Sequence, residues 1–135
     1  MAELTATLTD AQEAFLKEGH LAVVATLRDD GSPQLTPTWI DAENGKVLFN
    51  TAEGRAKPKN LRRDTRCSVC VVDRKNPYRW LSITGSAELE HKGAEEHIDV
   101  LAHRYTGEES YDVGPDEERV IVRVAPERVH GSQIE

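Results

Sequence analysis

Most hydrophobic positions of this chain fall in short runs rich in β-branched residues, bounded by Gly, Pro, Asn and Asp, the pattern of strands joined by turns. Residues 20–27 (His-Leu-Ala-Val-Val-Ala-Thr-Leu) read as a first strand and 34–40 as its returning partner. Between them lies Asp29-Asp30-Gly31-Ser32-Pro33, a turn in which Gly31 can take positive φ. Pro37 cannot donate to a sheet, which places its strand at an edge or a bulge. Asp41 to Gly45 reads as a second turn. Further strands are expected at 46–51, 66–73, 78–90 and 119–124. Three stretches depart from the strand pattern. Residues 9–19 open with Thr9 and Gln12 in capping-box spacing and close on Gly19. Residues 53–64 read as a short helix. Residues 92–105 place Ile98, Leu101 and Ala102 on one helical face. The acidic stretch 108–118 is expected as a solvated loop.

Six strands with hairpin-like turns and two or three helices predict a mainly β protein, a six-stranded antiparallel barrel. A doubly wound parallel sheet would need a helix between most strands, and the first three strands here follow one another through tight turns. At 135 residues the chain has room for one domain, 1–135. So small a barrel has little interior for a large ligand, which would sit outside it or at a subunit interface.

Composition narrows the class. Hydrophobic residues make up 38% and charged residues 30%, a balance that suits a soluble globular protein. No apolar run approaches the roughly 18 residues of a membrane span. The stretch Met1 to Thr7 lacks the basic flank and apolar core of a signal peptide, so a cytoplasmic location is expected, with no membrane partner. A net charge of −7 argues against a nucleic-acid partner, which needs a broad basic surface. Cys67 and Cys70 form a CxxC spacing inside a strand, where positions three apart point to opposite faces. They are therefore expected as reduced thiols, with no metal site.

Against that acidic background, residues 55–66 carry six basic residues and one acid, a local charge of +5 that leaves −12 for the rest. The segment follows the strand at 46–51 and starts a helix. Free backbone N–H groups, the helix dipole and cationic side chains then act together on a phosphate. Arg55 and Lys57 fall at the helix start, where they can point at the anion, and Asn50 and Thr51 at the strand end can add neutral hydrogen bonds. Arg62, Arg63 and Arg66 lie past that start and read as surface and fold residues. A second cluster, Asn76-Pro77-Tyr78-Arg79-Trp80-Leu81, places two aromatics around an arginine and can wall a ring system. Trp39 is a third candidate, equally suited to a core. No HExxH, GxSxG, Walker A or GxGxxG motif is present.

The stretches Leu21–Leu27 with Asp30–Gln34, Arg55–Asp64, Asn76–Leu81 and Ile98–Gly107 together resemble the split β-barrel family related to pyridoxamine 5′-phosphate oxidase. Within it they are most similar to the branch that uses the deazaflavin coenzyme F420. The resemblance implies an FMN-binding type split barrel and a homodimer with cofactor sites at the interface. It also implies hydride transfer from reduced F420 to an electron-poor small-molecule substrate. By the same resemblance Arg55, Ala56, Lys57 and Asn60 hold the cofactor's phosphate end, with Thr51 and Ala52 close by. Pro77, Tyr78, Arg79 and Trp80 approach from the other subunit, and Thr36, Pro37 and Trp39 line the ring. FMN also ends in a phosphate, so an FMN-dependent oxidase-like enzyme stays open. So does a non-catalytic carrier of a cofactor or tetrapyrrole.

Overall fold

Capping starts the fold as the sequence predicts. In the computed structural model, which describes residues 6–135, Thr9 Oγ1 accepts from the Gln12 amide at 3.1 Å. The Gln12 side chain returns the bond to the Thr9 amide at 2.9 Å. Residues 1–5, part of the stretch read for leader character, lie outside the described residues. The capped helix, α1 (Asp10–Leu16), buries Phe15 and Leu16 in the core. There follow β1 (Ala22–Leu27), β2 (Pro33–Thr38), β3 (Asp41–Glu43) and β4 (Lys46–Ala52), then α2 (Ala56–Arg63). The chain continues through β5 (Arg66–Val72), β6 (Trp80–Glu90), α3 (Ala94–Thr106) and β7 (Arg119–Ser132).

The strands form one seven-stranded sheet in the order β2-β1-β5-β6-β7-β4-β3, with every recorded pairing antiparallel. Pro37 sits on β2, an edge strand, where its missing N–H costs no ladder bond. Two expectations are corrected. Asp41–Gly45 is not all turn: Asp41–Glu43 forms β3, a seventh strand, and only Asn44 and Gly45 make the turn, at φ 55° and 80°. That pair of positive φ values is the hairpin geometry that Asn-Gly favours. The last strand does not stop at 124 but runs to Ser132, because its second half pairs with the first half of β6. A register shift between Thr84 and Gly85 bends that long pair. A Cβ on Gly85 would stand 2.0 Å from the Ala125 carbonyl oxygen, so the close approach requires glycine.

Side chains of Val24, Phe49, Val69, Leu81, Ile83, Val122 and Val124 meet in the core, sealed by Phe15 and Leu16. Full burial of each such side chain stabilises by roughly 1.5–3 kcal/mol. Strand β4 is buried on both faces. Val47 and Phe49 join the main core, whereas Leu48 packs in a separate cluster with Ala94 of α3 and Ile121 of β7. This sandwiching brings Asn50, on the same face as Leu48, under α3. The opposite outer surface of β1, β2 and β5 is left apolar and open: Leu35 is 61% exposed, Leu21 54%, Val23 45% and Val72 42%.

Candidate functional site

Arg55 is the N-cap of α2, with an extended backbone and no side-chain cap, and no acid follows in the first turn. The orphan amides and dipole of this helix end therefore meet no resident anion from the helix itself. Lys57 is the second residue of the helix, in its first turn, and half-buried. Burial first, and then the neighbouring Arg55 charge, pushes its ammonium below the ordinary lysine range, against a smaller opposing effect of Cys67. No salt bridge satisfies Lys57 among the described residues. The remaining arginines of the basic segment are engaged elsewhere, as their position past the helix start predicts. Arg62 grips Glu53 with both terminal nitrogens, Arg63 donates to Leu27 O and Asn60 Oδ1, and Arg66 pairs with Asp64.

Asn60 takes a different position from the one the resemblance implies. It is buried, donates to Thr26 Oγ1 at 3.0 Å and accepts from Arg63 at 2.8 Å. Thr26 in turn donates to Gln34 on β2 at 3.4 Å, so this chain of bonds locks α2 to the sheet edge. Two residues along the same face of β2, Thr36 Oγ1 is sealed from solvent with no hydrogen-bond partner among the described residues. Thr51 and Ala52 are buried within β4, and the Ala52 carbonyl accepts the Arg55 amide at 3.3 Å.

Beside Arg55 opens a cleft of about 290 Å³. Pro37, Thr38 and Trp39 line one side, Ile98 and Leu101 of α3 the floor, and Asn50, Tyr111 and Arg119 the rest, with Arg119 close enough to Arg55 for both to meet Glu117. Trp39 is held rigidly: its ring stacks on Tyr105 at 5.4 Å and meets Tyr111 edge-on at 6.2 Å. The Tyr105 hydroxyl donates to the His20 carbonyl at 2.7 Å and accepts from the Ile40 amide at 2.9 Å. Such a flat wall over an apolar floor suits a conjugated ring.

Arg119, Tyr111 and Glu117 were not legible as site residues in the sequence. Arg119, only 4% exposed, donates through Nε to Asn50 Oδ1 at 2.9 Å. Asn50 Nδ2 donates to the Ala94 carbonyl at 2.9 Å and contacts His97 Nδ1 at 3.1 Å. With Arg119 fixing Oδ1 and a carbonyl fixing Nδ2, His97 Nδ1 must accept, and its Nε2–H donates to Asp41 at 3.1 Å. Burial would raise the Asp41 carboxyl, but hydrogen bonds from His97 and the Ala42 amide and the Arg104 charge outweigh it and hold it at about 2. A polar chain Arg119–Asn50–His97–Asp41–Arg104 thus runs beneath α3. Asn50 is a buried link in that chain rather than a free donor at a strand end. The acidic loop is likewise more than solvated. Tyr111 N donates to Asp99 at 2.8 Å, and the Glu117 carboxylate bonds Arg119 and lies 3.5 Å from Arg55.

The aromatic–arginine cluster does not reach this cleft within one chain. Arg79 is not free to supply charge to a ligand: it pairs with both oxygens of Glu18 and with Asp73, over the Phe15 ring. Its own three-residue acid and histidine neighbourhood, Glu18, His20 and Asp73, is thereby filled by a guanidinium. Pro77 and Tyr78 occupy an exposed turn, Tyr78 at 71%, and Trp80 begins β6 opposite Val72. Cys67 is buried and Cys70 exposed, on opposite faces as strand alternation requires. Burial pushes the Cys67 thiol up to about 12.

Residues 8–133 match the family profile described as Pyridoxamine 5′-phosphate oxidase. An F420H(2)-dependent biliverdin reductase of Mycobacterium tuberculosis (strain CDC 1551 / Oshkosh) is 31% identical, over 98% of this chain and 93% of that protein. A solved F420 reductase superposes with a TM-score of 0.78 at 26% identity, covering 91% of this chain and 98% of the other. A conserved hypothetical protein of Mycobacterium tuberculosis gives 0.73 at 26% identity, over 98% and 89% of the two chains.

Proposed function

Because the chain belongs to the pyridoxamine 5′-phosphate oxidase family, we propose that it is an F420-dependent reductase acting on a conjugated, electron-poor organic molecule. The observation that carries this reading is the cation pair Arg55 and Lys57 at an uncapped helix start, with Lys57 half-buried and unpaired among the described residues. Two neighbouring positive charges raise each other's cost until an anion joins them, and a phosphate meets both with charge-assisted bonds.

Bound in its reduced form, the deazaflavin supplies a hydride. The protein's part is to hold and orient. Arg55 and Lys57 hold the phosphate end. Trp39, kept flat by Tyr105, and the apolar floor of Ile98 and Leu101 exclude water beside the ring. No side-chain nucleophile is required. Biliverdin, the substrate in the name of the 31%-identical relative, is the first compound to try.

The site is completed in a homodimer. The exposed apolar face of β1, β2 and β5 supports this, because Leu21 and Pro37 belong both to that face and to the cleft rim. Pairing places Val23 beside Pro37 and Cys70, and Ala25 beside Leu35 and Ser68, with no charged side chain in either row. The family resemblance has the Pro77–Trp80 segment reach the site from the second copy, and Pro77 and Tyr78 are exposed for such a contact.

Equilibrium titration with F420 and with FMN tests the reading. F420 is expected to bind with a Kd below about 100 μM, roughly 5 kcal/mol. Lys57→Ala is expected to weaken it about tenfold or more. Tight binding of FMN with none of F420 would assign the chain to the flavin-dependent side of the family.

A further inference from the structure

Beside Arg55 the cleft holds a second guanidinium that phosphate anchoring leaves unused. Arg119 is a buried guanidinium fixed on three sides. Nε donates to Asn50, a terminal nitrogen donates to Glu117, and the group's carbon lies 5.0 Å over the Tyr111 ring. Its other terminal nitrogen, Nη2, has no hydrogen-bond partner among the described residues. A buried arginine is costly to maintain without an anion. The anion found here comes from the loop between α3 and β7: the Glu117 carboxylate bonds Arg119 and lies 3.5 Å from Arg55. The Arg119 bond first, then the Gly114 amide and the charges of Arg119 and Arg55, hold that carboxyl below its usual range, so it is ionised.

We propose that Arg119 is a carboxylate seat for the substrate, occupied at rest by Glu117, and that a planar conjugated carboxylate displaces Glu117 to bind there. The geometry favours this class of ligand. A carboxylate already sits on Arg119, and a planar fork matches a guanidinium better than a point charge does. Trp39 and Tyr111 flank the position where the attached ring system would lie. His97 and Asp41 act as positioning residues, since they hold Asn50 against the guanidinium without lining the cleft. Glu117 can leave because it stands on a loop, with one hydrogen bond from its own Gly114 amide, whereas Arg119 is anchored in the sheet. Only the word substrate rests on the reductase reading; the seat stands on the geometry of the cleft.

The test uses cofactor-free protein, so that its failure is separable from failure to bind F420. 2-Naphthoate and 2-naphthamide serve as probes, titrated by calorimetry. The carboxylate is expected to bind about tenfold more tightly than the amide, as one charge-assisted pair implies. Glu117→Gln, which removes the resident competitor, is expected to tighten naphthoate binding about threefold or more while leaving naphthamide nearly unchanged. Arg119→Met is expected to reduce the carboxylate preference below about twofold. If Arg119→Met does not fold, the Glu117→Gln result decides. Equal binding of acid and amide, or unchanged or weaker naphthoate binding in Glu117→Gln, would overturn the seat. Loss of naphthoate binding when F420 is added would overturn its assignment to the substrate, because the cofactor's own acidic groups would then occupy it.

Discussion

Lys57 illustrates how a binding residue is stabilised less in the empty protein than in the loaded one. Its folded pKa lies below the unfolded value, so the folded state holds that proton less readily. The charge therefore opposes folding below the folded pKa, and the penalty fades as pH rises through it. Lys57→Met is expected to unfold at a temperature no lower than wild type, while losing affinity for phosphate-ended ligands. A clearly lower midpoint would show that the ammonium has a structural partner instead. Asp41 has the opposite sign. Its folded pKa is depressed from 3.8 to about 2, so its contribution is full above the unfolded value and is lost as pH falls through the folded one. Asp41→Asn is expected to cost about 3 kcal/mol at neutral pH, because Arg104 and His97 lose a buried partner, and to flatten the stability loss between about pH 4 and pH 2. Chemical denaturation across that range measures both. At this scale the sequence marks Arg55 and Lys57 through local charge and helix position. Arg119 is hidden, because its importance comes from Asn50 across a strand pair and from a carboxylate at the end of a loop.

Among the elements, local chemistry predicts what it controls. The capping box of α1, the positive φ of Gly31 and the edge position of Pro37 all follow from residue type. β3 is missed because three residues give too short a pattern to outweigh the turn residues beside them. The overlooked signal is Asn44-Gly45, which specifies a two-residue hairpin and hence a strand on either side. Gly45→Ala is expected to cost about 1–2 kcal/mol in urea unfolding, since φ is +80° there and the new Cβ would lie 3.2 Å from Thr7 Cγ2. A change near zero would mean that the turn adjusts freely. The extension of β7 to Ser132 was equally hidden, because pairing with β6 sustains the polar segment 127–132 as strand.

Across the whole molecule, the outer face of β1, β2 and β5 gathers most of the exposed large hydrophobic side chains among the described residues. Strand alternation alone does not reveal it. The same runs read as core strands buried on one face, and only the sheet order shows Leu35, Val23 and Val72 without a covering layer. Light scattering is expected to give twice the 15.1 kDa chain mass for the wild type. Val23→Glu, placing a charge in the middle of that face, is expected to give monomers with weakened F420 binding. A monomeric wild type that binds F420 with undiminished affinity would remove the second copy from the site.

The proposed reductase function requires this cleft to turn over reduced F420 rather than merely store it. Anaerobic mixing of catalytic amounts of the protein with excess reduced F420, biliverdin and a panel of enones tests it most directly. Reoxidation of the coenzyme is expected in step with reduction of at least one conjugated acceptor, with loss of that rate in Lys57→Ala at subsaturating coenzyme. Tight binding of F420 with no protein-dependent reoxidation by any acceptor would contradict it and make the protein a carrier.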